Sequence, residues 1–348
     1  MRAKRGKKNG TTRALAAAAL MANLLFCGAL AYVIPNGEGE GALWPSTFAV
    51  FGEQEEGVAE SPPAVPETPE EETAAPAEQP EEAPPAEEPA NIVARTIAPK
   101  NASYVNGDIK INNSSGLTPD FDALLASPPA LKPYVEGEPE VLIVHTHGTE
   151  SYMPEGQKNY TAETATRSED NEKNMIAVGE SFAAALRAEG INVMHDWTQC
   201  DNPEYKYSYT RSAEVIEAYL AKYPSIRCVI DVHRDSIGGD DGIKTKILTG
   251  EGSDTAQVMI VSGCYMGGLD HPNYQENLKL AMRWQAELNR DGGTLARPLN
   301  FVKYRYNQHY TTGSLILEVG TEANTLSEAK KAAEKAGTAL AQVLKGLR

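Results

Sequence analysis

The chain has 348 residues, enough for one large domain or two ordinary ones, and its formal net charge is −16. That total includes +6 from residues 1–13 and −13 from residues 51–90, so −9 remains for the rest of the chain. A mildly acidic surface repels phosphate backbones, which argues against a nucleic-acid partner.

Residues 14–34 carry no charge and follow the basic residues 1–13. A helix of this length, rising about 1.5 Å per residue, spans a bilayer core of roughly 30 Å. The basic flank predicts a cytoplasmic N-terminus and a single-pass anchor in the cell membrane, with the rest of the chain outside. Cleavage of a signal peptide after Ala29-Leu30-Ala31 is the alternative. A lipid on Cys27 fits less well, because Phe26 precedes it where a small residue is expected.

Residues 35–95 include an acidic, proline-rich stretch, PETPEEETAAPAEQPEEAPPAEEP, with almost no large apolar side chain. Such a segment cannot bury enough apolar surface to offset the entropy of ordering it. We therefore predict a disordered linker that holds the following domain away from the membrane. Residues 96–139 have sparse apolar positions, which predict an N-terminal extension packed against the edge of the main domain.

Residues 140–348 alternate short apolar runs with amphipathic stretches. Strands are predicted at VLIVHTH (141–147), INVMHD (191–196), IRCVIDVH (226–233), KTKIL (244–248), AQVMIVSG (256–263), LNFVKYR (299–305) and SLILEVG (314–320). Helices are predicted at 174–189, 212–223, 273–289 and 326–347. This alternation favours a single three-layer α/β domain, in which helices flank a mostly parallel sheet.

Three cysteines, Cys200, Cys228 and Cys264, lie outside the predicted membrane segment, and none of them belongs to a CxxC pair. The apolar surroundings of Cys228 and Cys264 are typical of core strands. We therefore predict buried free thiols, with a disulfide at Cys200 as the alternative.

Side chains that can do chemistry follow three of the predicted strands. His145 and His147 end the first strand, His233 ends the third, and Glu318 follows the apolar run Leu-Ile-Leu. The carboxyl ends of parallel strands meet at one edge of a sheet, where ligands bind. His145 and His147 are two residues apart, and this spacing puts both imidazoles on one face of a strand.

Histidines from two strand ends, together with a nearby carboxylate, make a usable zinc set. Catalytic zinc takes three protein ligands and keeps one position open, so one histidine is expected to orient a ligand instead. Glu318 should be buried, and a nearby metal-bound water would explain a carboxylate there, with a salt bridge to Arg234 or Arg305 as the alternative. His195 and His309 are expected to be ordinary structural residues.

Motifs of three other enzyme classes are missing. No Gly-x-Ser-x-Gly elbow, P-loop or GxGxxG follows any predicted strand. The sequence therefore argues against a serine hydrolase, a nucleotide hydrolase or a dinucleotide-binding enzyme.

Three stretches, VLIVHTHGTESY, CVIDVHRDS and YNQHYTTGSLILEVGTEANTLSEA, resemble the stage II sporulation protein P family. More distantly, VLIVHTH and LILEVGTEAN resemble strand ends of zinc-dependent N-acetylmuramoyl-L-alanine amidases. The resemblance implies a peptidoglycan hydrolase that removes stem peptides from glycan strands, with endopeptidase activity on cross-links as a second activity. It also implies action at the septal, forespore-engulfing membrane during endospore formation, with the sporulation proteins D (a lytic transglycosylase) and M.

The same resemblance assigns the zinc ligands. His147 and His233 match the zinc histidines of the amidases, and His145 is an additional or orienting ligand. The glutamate ligand has two candidates. Glu150 belongs to the HTHGTE motif and is favoured, whereas Glu172 lies at the start of the first helix, where the amidases place their ligand.

Glu318 matches the catalytic carboxylate of the amidases. Arg234 or Asn307 is expected to orient the muramyl lactyl amide or the stem peptide. A non-catalytic wall-binding module that recruits a partner hydrolase is the alternative function, and a zinc peptidase or deacetylase is the alternative within the enzymes.

Overall fold

A computed structural model describes residues 91–98, 102–161, 164–238 and 243–348. The predicted anchor at 14–34 and the predicted linker up to residue 90 lie outside these residues. No helix within the described ranges is long and apolar enough to cross a membrane.

The described residues contain ten strands: β1 (Ile92–Arg95), β2 (Tyr104–Asn106), β3 (Ile109–Asn113), β4 (Val141–Val144), β5 (Val193–His195), β6 (Cys228–Asp235), β7 (Lys244–Ile247), β8 (Val258–Gly263), β9 (Leu299–Val302) and β10 (Ser314–Thr321). Eight of them form one sheet in the order β2-β3-β9-β8-β10-β6-β4-β5. Neighbouring strands are parallel except in the pairs β2–β3 and β8–β10. The sheet is therefore mixed but mostly parallel, as predicted.

Helices cover both faces of this sheet. The described residues form five α-helices: α1 (Phe121–Leu125), α2 (Met175–Ala188), α3 (Ser208–Lys222), α4 (Tyr274–Leu288) and α5 (Leu326–Lys345). On one face, Ile143 and Ile230 pack in a core with Phe182 of α2 and with side chains of α4 and α5. On the other face, Leu142 packs with Ile216 of α3. Alternate strand residues thus serve two cores, and the three-layer α/β prediction is confirmed.

The first described residues belong to the folded domain. Ile92 of β1 lies opposite Lys244 of β7, and the two strands form a separate parallel pair. The predicted linker ended at residue 95, but its last four residues form strand β1. Ile92 and Val93 are partly buried there, and their backbone groups gain partners on the edge of β7. The predicted extension meets the sheet edge, where Ile111 of β3 pairs with Leu299 of β9.

Side-chain caps begin α1, α2 and α5, and the last two of these helices were predicted from the sequence. Asn174 accepts a hydrogen bond from the backbone N–H of Ile176, at 2.9 Å, and so begins α2. Thr325 and Glu328 form a reciprocal capping box at the start of α5. Because each cap satisfies backbone donors at the first turn, both helices begin within one residue of the predicted position.

The three cysteines of the described chain, Cys200, Cys228 and Cys264, are free and buried, and the alternative of a disulfide at Cys200 is not observed. Burial raises the pKa of Cys200 and of Cys228 to about 12. The thiolate is the nucleophile, so iodoacetamide at neutral pH is expected to leave all three unmodified in the native protein. Peptide mass mapping of native and guanidinium-unfolded samples checks this. Modification of native Cys228 as fast as in the unfolded chain would contradict the buried position.

Candidate active site

Four side chains meet at the carboxyl ends of the adjacent strands β4, β6 and β10. Glu318 of β10 is in register with His233 of β6, and His147 lies just beyond β4. The ring centroids of His147 and His233 are 5.1 Å apart, with their planes at 87°. Glu150 Oε2 lies 3.9 Å from His233 Nδ1. All four side chains are buried.

His145 does not join this group. β4 ends at Val144, and the chain turns through the following residues. The alternation of a strand therefore no longer applies, and the prediction that both imidazoles share one face is wrong. The ring of His145 lies against Gly179 of α2, whereas the ring of His147 contacts Tyr209 at the start of α3.

Hydrogen bonds hold His145 in its separate position. Its Nδ1 lies 3.1 Å from the carbonyl oxygen of Val232, which can only accept, so Nδ1 carries the proton. Its Nε2 then accepts from His195 Nε2, 2.9 Å away. The other nitrogen of His195 lies 2.8 Å from Glu180 Oε2. Burial lowers the pKa of His145 to about 3, so the ring is a neutral structural group.

Glu318 is a buried carboxylate whose Oε2 has no hydrogen-bond partner among the described residues. The guanidinium groups of Arg234 and Arg305 donate to backbone carbonyl groups elsewhere, so the alternative of a salt bridge is not observed. Burial raises the pKa of Glu318 to about 8, even though the nearby His233 opposes the rise. A carboxylate that binds a proton near neutral pH is suited to general base catalysis.

The two histidines of the site differ in charge. Burial lowers the pKa of His147 to about 2, and the positive charge of His233 adds to this effect. His147 is therefore neutral, and its Nδ1 has no hydrogen-bond partner among the residues described. Burial also lowers the pKa of His233, but the nearby carboxylates of Asp231, Glu318 and Glu150 together outweigh it and raise the pKa to about 10.

Asp231 is a site residue that the sequence reasoning did not assign. It precedes His233 by two positions on β6, so strand alternation puts both side chains on one face. Asp231 Oδ1 lies 3.0 Å from His233 Nε2, close enough for an ion pair but not aligned as a hydrogen bond. The backbone N–H and the hydroxyl of Thr146 fix this carboxylate at 2.9 and 2.6 Å. The spacing Asp-x-His was the signal that could have identified it.

The donors of His147, His233 and Glu150 fit zinc in type. Ligand atoms about 2.0–2.1 Å from a tetrahedral zinc lie about 3.4 Å from one another, near the 3.9 Å between Glu150 and His233. Glu172, the other candidate ligand, is exposed at the surface before α2. As the side chains stand, however, no group of three or more His, Cys, Asp or Glu residues in the described ranges forms a complete metal cluster. Zinc binding is therefore a proposal.

The two predicted substrate-binding residues already use their donors within the protein. Arg234 donates from Nε to the carbonyl of Ser151 at 2.7 Å and from Nη2 to that of Thr166 at 2.9 Å. Asn307, in a left-handed conformation with φ 59°, donates to the carbonyl of Tyr209 at 2.8 Å. Both side chains thus hold neighbouring segments of the chain together, and their contact with substrate stays a prediction.

Two tyrosines enclose His147. The ring of Tyr205 stacks on the imidazole with a centroid distance of 4.5 Å and an angle of 11°. The ring of Tyr209 meets it edge to face at 5.6 Å. Tyr205 is about half exposed and forms the outer wall of the site, whereas Tyr209 at the start of α3 lies inside it. The sequence offered no signal for either role.

The family model described as Stage II sporulation protein P (SpoIIP) matches residues 48–345. The chain belongs to the stage II sporulation protein P family. The resemblance stated from the motifs is thereby confirmed. A curated family member, stage II sporulation protein P of Bacillus subtilis (strain 168), is 28% identical over 214 residues. The match covers 58% of this chain and 50% of that protein, so the chain spans about half the length of its relative.

The chain described above is also similar to solved amidase structures. N-acetylmuramoyl-L-alanine amidase AmiC2 of Nostoc punctiforme has a TM-score of 0.36 and 13% identity, over 61% of this chain and 99% of that chain. The CwlD amidase of Clostridioides difficile, solved in complex with the GerS lipoprotein, has a TM-score of 0.37 and 11% identity, over 60% of this chain and 97% of that chain.

Proposed function

We propose that this protein is a zinc-dependent peptidoglycan hydrolase of sporulation, which cleaves the amide between N-acetylmuramic acid and the stem peptide. The observation that carries the proposal is the convergence of three zinc-type donors with a buried, unpartnered Glu318 at one edge of the sheet. Membership of the stage II sporulation protein P family supports the setting.

The proposed ligands are His147, His233 and Glu150. His233 would bind through Nδ1, because Nε2 faces the carboxylate of Asp231 in the manner of a carboxylate–histidine pair. His147 is already neutral, as a ligand must be, whereas His233 would have to release a proton to bind the metal. When bound, zinc supplies a Lewis acid that polarises the scissile carbonyl and makes water reactive at neutral pH.

Glu318 is the proposed general base. Its Oε2 takes a proton from the attacking water as the new C–O bond forms, and returns it to the amine nitrogen as the C–N bond breaks. Burial keeps the proton affinity of this carboxylate high enough for both transfers. Register with His233 holds the carboxylate beside the proposed ligands.

The proposed setting is the outer face of the septal membrane during engulfment. The anchor at 14–34 and the linker that begins at residue 35 and ends before β1 would let the enzyme reach the wall from the membrane. Peptidoglycan is the proposed substrate, with cross-link cleavage as a second activity. The sporulation proteins D and M are the proposed partners.

Chelation tests the activity. The purified full chain incubated with isolated sacculi is expected to release soluble stem peptides, which mass spectrometry identifies by a free amino-terminal alanine. Treatment with 1,10-phenanthroline should stop the release, and added Zn²⁺ should restore it, because the metal activates the attacking water.

Other products would point to other functions. Binding to sacculi without release would contradict the hydrolase and favour the wall-binding module. Release of acetate would indicate a deacetylase, and cleavage only within the peptide would indicate a peptidase.

A further inference from the structure

Arg167, to which the sequence analysis gave no role, reaches both of the proposed ligands that follow β4. Its guanidinium carbon lies 4.9 Å from the ring centroid of Tyr205, the same ring that stacks on His147. Its Nη2 lies 4.0 Å from Glu150 Oε1. A backbone bridge between residues 150 and 167 holds the two segments together.

The same guanidinium also braces the loop between these ligands. Nη1 of Arg167 donates to the hydroxyl of Thr149 at 3.0 Å and forms an ion pair with Asp201. Asp201, whose side chain has no exposed surface, accepts from the backbone N–H of Thr149 at 3.1 Å and from its hydroxyl at 2.6 Å. Thr149 directly precedes Glu150, so this network sets the direction in which the Glu150 side chain leaves the backbone.

Asp201 also reduces the effect of the positive charge of Arg167 on the proposed zinc site. An unpaired cation 4.0 Å from a metal-binding carboxylate would repel the metal ion. The buried carboxylate of Asp201 pairs with Arg167 and offsets part of that charge. Arg167 can therefore contribute its shape and its hydrogen bonds with less repulsion of the metal ion.

We propose that Arg167 is a positioning residue for the zinc site, acting on His147 through Tyr205 and on Glu150 through Thr149. The inference rests on the proposed zinc-dependent function. A planar guanidinium can stack on an aromatic ring while its N–H groups donate in the plane, and an ammonium group cannot do both. Lysine at position 167 should therefore not position the zinc ligands, even though the positive charge is kept.

Zinc affinity tests the proposal, because it reports the ligand geometry without requiring turnover. In the full chain, Arg167→Lys and Tyr205→Leu are expected to raise the zinc dissociation constant about 10- to 100-fold, the usual effect of removing an orienting contact. Tyr205→Phe keeps the stacked ring and should stay within about 3-fold of the native value. Competition with a chromogenic chelator measures the constants.

Arg348→Lys is the matched control. Arg348 lies over the ring of Tyr134 at 4.1 Å, so the same substitution breaks an arginine–tyrosine stack that involves none of the proposed ligands. It should leave zinc affinity unchanged. Circular dichroism melting of the metal-free proteins checks that Arg167→Lys and Tyr205→Leu keep the native fold.

Three results would contradict the proposal or a part of it. Native zinc affinity in both Arg167→Lys and Tyr205→Leu would overturn the role of Arg167 while leaving the zinc hydrolase standing. Equal losses in Tyr205→Phe and Tyr205→Leu would overturn the stacking argument. A native chain that binds no zinc would overturn the zinc site and this inference with it.

Discussion

Replacement of Glu318 by Gln is expected to slow stem-peptide release by roughly 10²–10⁴-fold, the usual contribution of a general base. The amide has the shape of the carboxylate but cannot take a proton from water. Zinc content should be unchanged, because Glu318 is not among the proposed ligands. Initial rates of peptide release from sacculi and the metal content by mass spectrometry measure the two quantities.

Glu322→Gln is the matched control for that experiment. Glu322 is also buried just beyond β10, but its carboxylate is occupied by Lys244 at 3.1 Å and by the Ser236 hydroxyl at 2.8 Å. Loss of the Glu322 carboxylate should lower the free energy of unfolding more than it slows turnover. Near-native turnover by Glu318→Gln would show that another group takes the proton. Loss of zinc from that variant would show that Glu318 is itself a ligand.

Replacement of Gly179 by Ala is expected to destabilise the protein by about 2–4 kcal/mol, although the same change in an unhindered helix stabilises by about 1 kcal/mol. A Cβ on this residue of α2 would lie 2.4 Å from His145 Nε2 and 2.8 Å from His195 Nε2. The two rings are hydrogen-bonded to each other and buried, so neither can move without losing that bond. Equilibrium unfolding in guanidinium chloride measures the difference.

Gly346→Ala gives the comparison for a helix end without crowding. At Gly346 the nearest atom to an added Cβ is 3.4 Å away, and its φ of −70° suits any residue. This variant should be as stable as the native protein or slightly more stable. Equal stability of Gly179→Ala and Gly346→Ala would mean that His145 and His195 do not fill the space above α2.

Local pattern predicted the strands and helices of the main domain well, but not every partner of a strand. The run KTKIL was correctly predicted as a strand, yet β7 pairs with β1 outside the main sheet. Its alternating residues look the same in either sheet, because backbone pairing depends on which edge lies nearby. For the same reason, nothing in the local pattern indicated that Ile92–Arg95 would form a strand and not belong to the linker.

The candidate site was predictable where its residues end strands. His147, His233 and Glu318 follow apolar runs, and adjacent strands bring such ends together. Arg167 and Tyr205 lie 38 residues apart in the chain, outside the predicted strands and helices, with no periodicity that links them. Only the folded backbone brings their side chains together.

The sequence by itself determined the fold class, the family and the strand ends that carry the chemistry, because hydrophobic periodicity and motif spacing are local properties. Tertiary structure decided which of the polar residues face one another. His145 and His147 separate because β4 stops at Val144, one residue before the motif begins. Arg234 and Asn307 donate to backbone carbonyl groups that are distant in sequence, and contacts of that kind depend on packing that no short stretch of sequence encodes.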